Sequence, residues 1–354
     1  MSDYTISRVH PSDGRGNRAV GRLLEAEGIR RDGNLDYTCA MFDEDLNAIA
    51  TGSCFGNTLR CMAVSHEHQG EGLMNEIVTH LVQRQFERGC FHLFLYTKCS
   101  AARFFRDLGF YEIVRIEDAE DPAGGIVFME NKRTGFQDYL RALEGPRSGA
   151  PGSAAVVMNA NPFTLGHQHL VERASAESGA VHLFVLSEDA SLVPFSVRKR
   201  LVLEGTNHLK NVIVHDSGPY IISGATFPSY FQRDEAAVIR SHASLDLAVF
   251  VKIAAVLGIG ARYVGEEPQS LVTGIYNQLM ARSLPEHGIR CVIVPRKKQG
   301  GEVISASTAR QAIRAGDLER LKALVPPSTC AYFASDEARP VIERIRAADD
   351  VVHY

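Results

Sequence analysis

The chain has 354 residues, long enough for two ordinary domains, and its 45% hydrophobic and 23% charged residues exclude wholesale disorder and fibrous classes. A formal net charge of -4 offers no global attraction for nucleic acid or an anionic membrane, and no apolar run reaches the roughly 20 residues that span a bilayer, so no nucleic acid, no membrane and no targeting segment is expected. The seven cysteines are scattered, odd in number and nowhere spaced as CxxC, which points to reduced thiols in a cytoplasmic protein and to no protein-ligated metal.

The front of the chain reads as an antiparallel meander: Tyr37–Phe42, a turn at Asp43-Glu44-Asp45, Ala48–Gly52 and Leu59–Val64. Gln69-Gly70-Glu71-Gly72-Leu73-Met74 then opens a helix whose Leu73, Ile77, Val78 and Leu81 share one face. His66 and His68 flank Glu67, but residues two apart share no helix face and no third ligand follows, so they read as loop histidines. A strand at Phe91–Tyr96 and a short helix over 101–110, ending at Gly109, complete this part. The combination resembles the GNAT acyltransferase fold. In that family a Q/RxxGxG/A loop donates amides to the pyrophosphate of a coenzyme-A-like ligand; Gln69, Gly70 and Gly72 fall on the loop, while Met74 stands where the pattern has Gly or Ala.

Residues 1–131 are therefore expected to form a GNAT-like domain, and 132–153 a bridging helix at Phe136–Leu143 followed by the Gly/Pro/Ser linker Gly145–Ser153. Residues 154–354 alternate strand and helix. Strands are expected at Ala154–Met158, Val181–Leu186, Asn211–Val214, Arg262–Gly265 and Cys291–Pro295, with a helical pattern from Leu245 to Leu257. Alternation of this kind implies a parallel sheet with right-handed crossovers, and ligands at the carboxyl ends of its strands. The fold class is thus α/β, with a GNAT-like domain ahead of a Rossmann-like domain.

The stretch from Asn159 to His169 joins the first of these strands to a helix start, where unpaired amides and the helix dipole favour a phosphate. Thr164-Leu165-Gly166-His167 resembles the (T/H)xGH signature of nucleotidyltransferases, whose final histidine lies against the α-phosphate of ATP. His169, two residues on, points elsewhere. The later Ile304-Ser305-Ala306-Ser307-Thr308-Ala309-Arg310 resembles the second half of that signature, ISTSxxR, with Ala306 in the Thr place. Its hydroxyls, helix-start amides and arginine suit outer phosphates. Between them, Arg296-Lys297-Lys298-Gln299-Gly300-Gly301 is expected to be a basic, mobile loop that closes on triphosphate.

Three further strings narrow the resemblance: Ser187-Glu188-Asp189 with Pro194-Phe195 and Arg198, the aromatic run Tyr220–Phe231, and Val264-Gly265-Glu266-Glu267-Pro268. With the two signature halves they resemble the citrate lyase ligase family over nearly the whole chain. The resemblance implies an AMP-forming acid-thiol ligase that uses ATP and Mg²⁺. Acetate becomes acetyl-adenylate with release of pyrophosphate, and the acetyl group passes to the thiol of the phosphoribosyl-dephospho-CoA group on the citrate lyase acyl carrier (gamma) subunit. On this reading Thr164, His167 and Arg310 are catalytic, Asn161, Phe163, Gly166, Ser305, Ser307, Thr308 and Arg198 bind nucleotide, and Gln69, Gly70 and Gly72 bind the CoA-like arm. The run Tyr220–Phe231 is either the acetate pocket or a self-packed loop, and Glu266-Glu267-Pro268 either assists metal or ribose or caps a helix. Other readings are an adenylyltransferase acting on a pantetheine-phosphate or nucleotide-like acceptor, a GNAT acetyltransferase with a nucleotide-sensing tail, and a regulatory nucleotide-binding protein.

Overall fold

The computed structural model describes residues 4–117, 125–145, 152–189, 191–221, 235–266 and 271–348. The chain divides into two compact units, Met1–Phe136 with Phe227–Ala248, and Gln137–Thr226 with Val249–Tyr354. Residues 146–151 of the expected linker, 222–231 of the aromatic run and the pair 267–268 lie outside the described residues.

In chain order the first elements are β1 (Ser7–Arg8), α1 (Gly14–Ala26), β2 (Tyr37–Phe42), β3 (Ala48–Phe55), β4 (Thr58–Val64), α2 (Leu73–Glu87), β5 (Phe94–Lys98), α3 (Ala102–Asp107), β6 (Tyr111–Ile116), β7 (Ile126–Glu130) and α4 (Gly135–Leu143). The seven strands form one sheet in the order β1-β2-β3-β4-β5-β7-β6. Alternate residues of each strand point to opposite faces, so the sheet has a core on each side. Val20, Leu23 and Leu24 of α1 cover Ala40, Cys61 and Ala63 on one face, and Ile77, Val78 and Leu81 of α2 cover Cys39, Met41 and Leu59 on the other. The two central strands, β4 and β5, are parallel and pair only at Thr58 with Phe94 and Leu59 with Leu95. Beyond those pairs a cleft of about 600 Å³ opens, with Met62, Ala63 and Val64 on one wall and Tyr96, Thr97 and Lys98 on the other.

The second unit holds β8 (Ser153–Met158), α5 (Leu165–Glu177), β9 (Ala180–Val185), α6 (Phe195–Thr206), β10 (Val212–Asp216), the part of α7 (Glu235–Leu257) from Val249 onward, β11 (Ile259–Gly265), α8 (Leu271–Glu286) and β12 (Arg290–Val294). A short hairpin, β13 (Lys298–Gln299) with β14 (Glu302–Val303), leads to α9 (Ala306–Ala315), α10 (Leu318–Leu324), α11 (Pro327–Phe333) and α12 (Arg339–Ala347). Its five-stranded sheet runs β10-β9-β8-β11-β12 with every neighbouring pair parallel. Both faces of such a sheet are covered, which is why β8 and β9 are nearly continuous apolar runs. Ala154, Val156 and Met158 face the core that α5, α6 and the late helices close, and Ala155 and Phe184 are buried on the opposite face. The order reverses between β8 and β11, so the crevice for a ligand opens at the carboxyl ends of those two strands.

Among the described residues no helix is long and apolar enough to cross a membrane. All seven cysteines are free thiols, three of them fully buried at Cys39, Cys54 and Cys61, where burial pushes each thiol up to about 12.

Candidate functional site

Two helix starts meet at the sheet's crevice. Thr164 is the N-cap of α5, and its hydroxyl accepts from the His167 amide at 3.3 Å while the Thr164 amide donates to His167 Nδ1 at 3.1 Å. Ser305 caps α9 in the same reciprocal way, its hydroxyl accepting from the Thr308 amide at 3.1 Å and its own amide donating to the Thr308 hydroxyl at 3.0 Å. The two caps lie side by side: a Cβ added at Gly166 would stand 2.9 Å from the carbonyl oxygen of Ile304. Only a residue without a side chain lets these backbones approach so closely. Two positive helix ends therefore point into one corner, and among the described residues the amides of Leu165 and Gly166 have no protein acceptor.

The charge state of His167 follows from its cap. A backbone amide is only a donor, so Nδ1 must be the unprotonated nitrogen and Nε2 carries the hydrogen. Thr164 Oγ1 lies 2.9 Å from the same Nδ1, and the ring stacks on Phe163 at a centroid distance of 5.9 Å. Burial, then the positive charges of Arg296 and Arg310, lower the imidazole from 6.5 to about 4. At neutral pH the residue is an uncharged Nε2–H donor held in a fixed direction.

The remaining expected residues divide into two groups. Phe163, fully buried, and Asn161, whose Oδ1 accepts from the Val193 amide at 3.0 Å, shape the loop after β8. Arg310 is 8% exposed; its Nη1 donates to the Asn161 carbonyl at 2.6 Å and its Nη2 to the Ser307 hydroxyl at 3.1 Å, which ties α9 to that loop. Thr308 Oγ1 also donates to the Ser305 carbonyl at 2.9 Å, so its hydroxyl is used in the turn. Arg198 is 0% exposed, and its guanidinium donates to the carbonyls of Val193 (2.9 Å), Asn159 (2.9 Å), Leu186 (2.7 Å) and Glu188. It braces the loops after β8 and β9 from inside rather than facing the crevice.

The sequence reading did not single out the paired hydrogen bonds between Asn159 and Ser191, at 2.9 and 3.1 Å, that join the same two loops. An asparagine at the last residue before a glycine-poor turn was the available signal. Ala160, beside it, has a φ of 55°, a left-handed conformation that a non-glycine residue adopts only where its surroundings enforce it. Within the stretch expected as a basic, mobile loop, Lys298–Gln299 pairs with Glu302–Val303 as a short hairpin. Gly300 and Gly301, at φ of 58° and 85°, make the tight turn, and the Ile304 amide donates to the Lys297 carbonyl at 3.0 Å.

In the first unit Gln69, Gly70 and Gly72 line the cleft between β4 and β5, with Leu73, Met74, Phe104 and Phe105. Gly70 and Gly72 have φ of 91° and 81°, and Gly72 is the N-cap of α2, so the loop turns its backbone toward the cleft. His68 is on the same rim, 3.1 Å from the Glu71 carboxylate, and His66 shares its short turn.

Two substitutions test this bracing. Arg198→Met leaves four buried carbonyls without their donor and is expected to lower unfolding free energy by roughly 3 kcal/mol, read as a shift in the urea midpoint. Gly166→Ala pushes a methyl group against a backbone carbonyl and is expected to cost about 1–3 kcal/mol by the same measurement.

Residues 153–333 match the family model described as citrate lyase ligase C-terminal domain, and residues 19–110 match that of the acetyltransferase (GNAT) family. The citrate (pro-3S)-lyase ligase of Escherichia coli strain K12 is 34% identical over 335 residues, 93% of this chain and 93% of that one. The proteins of the same name from Klebsiella pneumoniae and Haemophilus influenzae are 37% and 33% identical, each over 89% of this chain and over 92% and 94% of their own lengths. Among solved structures, the ribosomal-protein-S18-alanine N-acetyltransferase of Escherichia coli is 17% identical with a TM-score of 0.29, covering 36% of this chain and 92% of that one. Escherichia coli ElaA is 13% identical with a TM-score of 0.31, covering 37% of this chain and all of its own. By its full-length relatives and the match over its second half, the chain belongs to the citrate lyase ligase family.

Proposed function

We propose that the second unit joins acetate to AMP and that the first unit receives the thiol-bearing arm of the citrate lyase acyl carrier subunit, to which the acetyl group is passed. The observation that carries this reading is the corner where α5 and α9 begin, with His167 as a neutral donor between two positive helix ends. Acetate is a poor electrophile. Its carboxylate oxygen attacks the α-phosphorus of ATP, the bond to pyrophosphate breaks, and no covalent enzyme nucleophile is needed. Negative charge then grows on the equatorial α-phosphate oxygens and on the leaving pyrophosphate. His167 Nε2–H and the Leu165 and Gly166 amides meet the first, and the α9 start with Ser307 and Arg310 meets the second.

Mg²⁺ fits this corner through the nucleotide. Among the described residues no three His, Cys, Asp or Glu side chains gather as a ligand set, so bound Mg²⁺ would be held by phosphate oxygens and water and would offset their charge. The ring of His167 adds a hydrogen bond without adding a positive charge, and its Nδ1 contact keeps that bond aimed through the reaction.

In the second step the carrier's thiol sulfur forms a bond to the acetyl carbon, the carbon–oxygen bond to AMP breaks, and the thiol proton leaves to solvent. A pantetheine arm is slender and rich in amides, and the parted edges of β4 and β5 offer it unpaired strand backbone along a narrow apolar cleft. The backbone of Gly70 and Gly72 at the α2 start suits its diphosphate.

Exchange of labelled pyrophosphate into ATP tests the first step. The exchange is expected to require acetate and to fall about 10²–10³-fold in His167→Ala with the fold intact; exchange without acetate, or indifferent to the substitution, rejects the assignment. The pH profile has a definite sign. Because the folded ring titrates at about 4 and the unfolded one at 6.5, kcat/KM for ATP is expected to show no histidine ionisation between about pH 5.5 and 8, while unfolding free energy declines as pH drops from about 6.5 toward about 4, where the unfolded imidazole takes up a proton the folded one refuses.

A further inference from the structure

Helix α2 carries two rows of residues side by side. Leu73, Ile77, Leu81 and, in the same line, Gln85 are buried, and the Gln85 side-chain amide donates to the Gly56 carbonyl at 2.6 Å. The row one residue on, Met74, Val78, Val82 and Phe86, is also spaced by four and so runs along the neighbouring face. That row stands partly in solvent: Met74 and Val82 are half-buried and Phe86 is 42% exposed. Covering the sheet alone would favour the reverse placement, with phenylalanine inside and glutamine outside. The outer row walls a groove of about 420 Å³, lined by Val78, Val82, Phe86 and Leu108. Phe91, 62% exposed, extends it, with its ring centroid 5.4 Å from that of Phe86. Apolar surface gathered in this way marks a place of contact. It also continues the lining of the β4–β5 cleft, since Met74 begins the same helical row and Phe104, four residues before Leu108, belongs to the cleft.

We infer that this groove docks the protein body of the citrate lyase acyl carrier subunit, taking an apolar ridge of the carrier beside the point where its arm is attached; this rests on reading the cleft as the seat of that arm. The occupant follows from the tether. With the arm's diphosphate at the start of α2, the carrier body is held outside the cleft at that end of the helix. Val82 lies nine residues beyond Leu73, about 14 Å along the axis. A domain of 100 residues has a radius of gyration of about 13 Å, so a body tethered at the helix start reaches the groove. Selectivity points the same way. The arm resembles coenzyme A, and a cleft that reads only the arm distinguishes the loaded carrier poorly from free coenzyme A. Contact with the body supplies the difference in affinity.

The test uses the carrier subunit in two forms, loaded with its prosthetic group and lacking it. Acetyl transfer to the loaded carrier is measured in the full-length parent, Phe86→Glu and Phe86→Leu, with the arm-less carrier added as competitor, beside pyrophosphate exchange, melting temperature and sedimentation. The arm-less carrier is expected to inhibit the parent competitively. In Phe86→Glu its inhibition constant and the KM for loaded carrier should both rise about 10- to 100-fold, because a carboxylate in the groove opposes apolar contact. Phe86→Leu should stay within about threefold of the parent, and exchange and melting temperature should be parental in both variants. An arm-less carrier that fails to inhibit the parent, or inhibits parent and Phe86→Glu equally, overturns the inference and leaves the arm cleft standing. A KM rise that tracks a lowered melting temperature also overturns it, as does a parent dimer that Phe86→Glu separates, which assigns the groove to a second copy. A parent that exchanges pyrophosphate with acetate but acetylates no loaded carrier rejects the reading of the cleft together with this one.

Discussion

The site depends on one buried guanidinium. Arg198 lies on α6 with no exposed surface, and it gathers carbonyl oxygens from the end of β8, from the end of β9 and from the loop that enters its own helix. Carbonyls at strand ends have lost their ladder partners, and burying them without donors would cost more than the loops could recover elsewhere. By supplying a planar set of donors at one point, Arg198 lets two loops turn sharply beside each other. The Asn159–Ser191 pair, the Val193 amide on Asn161 and the left-handed Ala160 lie in the same loops.

What the braced loop presents is geometry at low charge cost. Each helix start satisfies its own third amide through a reciprocal cap, which leaves the first amides directed outward. Gly166 then brings the two starts within van der Waals distance through the Ile304 carbonyl. His167 completes the corner as a donor without a charge, because burial and, after it, cationic neighbours disfavour protonation. A permanently charged imidazolium there would stand against the positive charges of Arg296 and Arg310. On the proposed reading the neutral ring of His167 supplies a directed donor and Arg310 supplies charge.

Much of this was legible in the residues. Strands buried on both faces are continuous apolar runs, so β8 and β9 were read to within about one residue, and the TxGH and ISxSxxR strings fell on helix starts as read. The glycines at 70 and 72 announced a turned backbone, which the structure has. Other elements were harder. The helix α7 was read from Leu245 but begins at Glu235, and α1 and β6, whose apolar residues are interrupted by charged ones, were not singled out, nor was the short apolar run of β7. The Gly300-Gly301 pair was itself the signal for the tight turn between β13 and β14. Least legible were the destinations of polar side chains. Arg198 and Asn159 are 39 positions apart, and nothing in local pattern distinguishes an arginine that holds carbonyls from one that holds phosphate.

The central claim is that a carboxylate, attached through its own oxygen to AMP, is the species handed to the thiol. Oxygen-18-labelled acetate supplied with ATP and the deacetylated carrier subunit reads this directly, since cleavage of acetyl-adenylate at the acyl carbon must leave one acetate oxygen on phosphorus. The account predicts that AMP acquires one labelled oxygen for each thioester formed and that pyrophosphate acquires none. Label in pyrophosphate, in inorganic phosphate or nowhere in the nucleotide would contradict it.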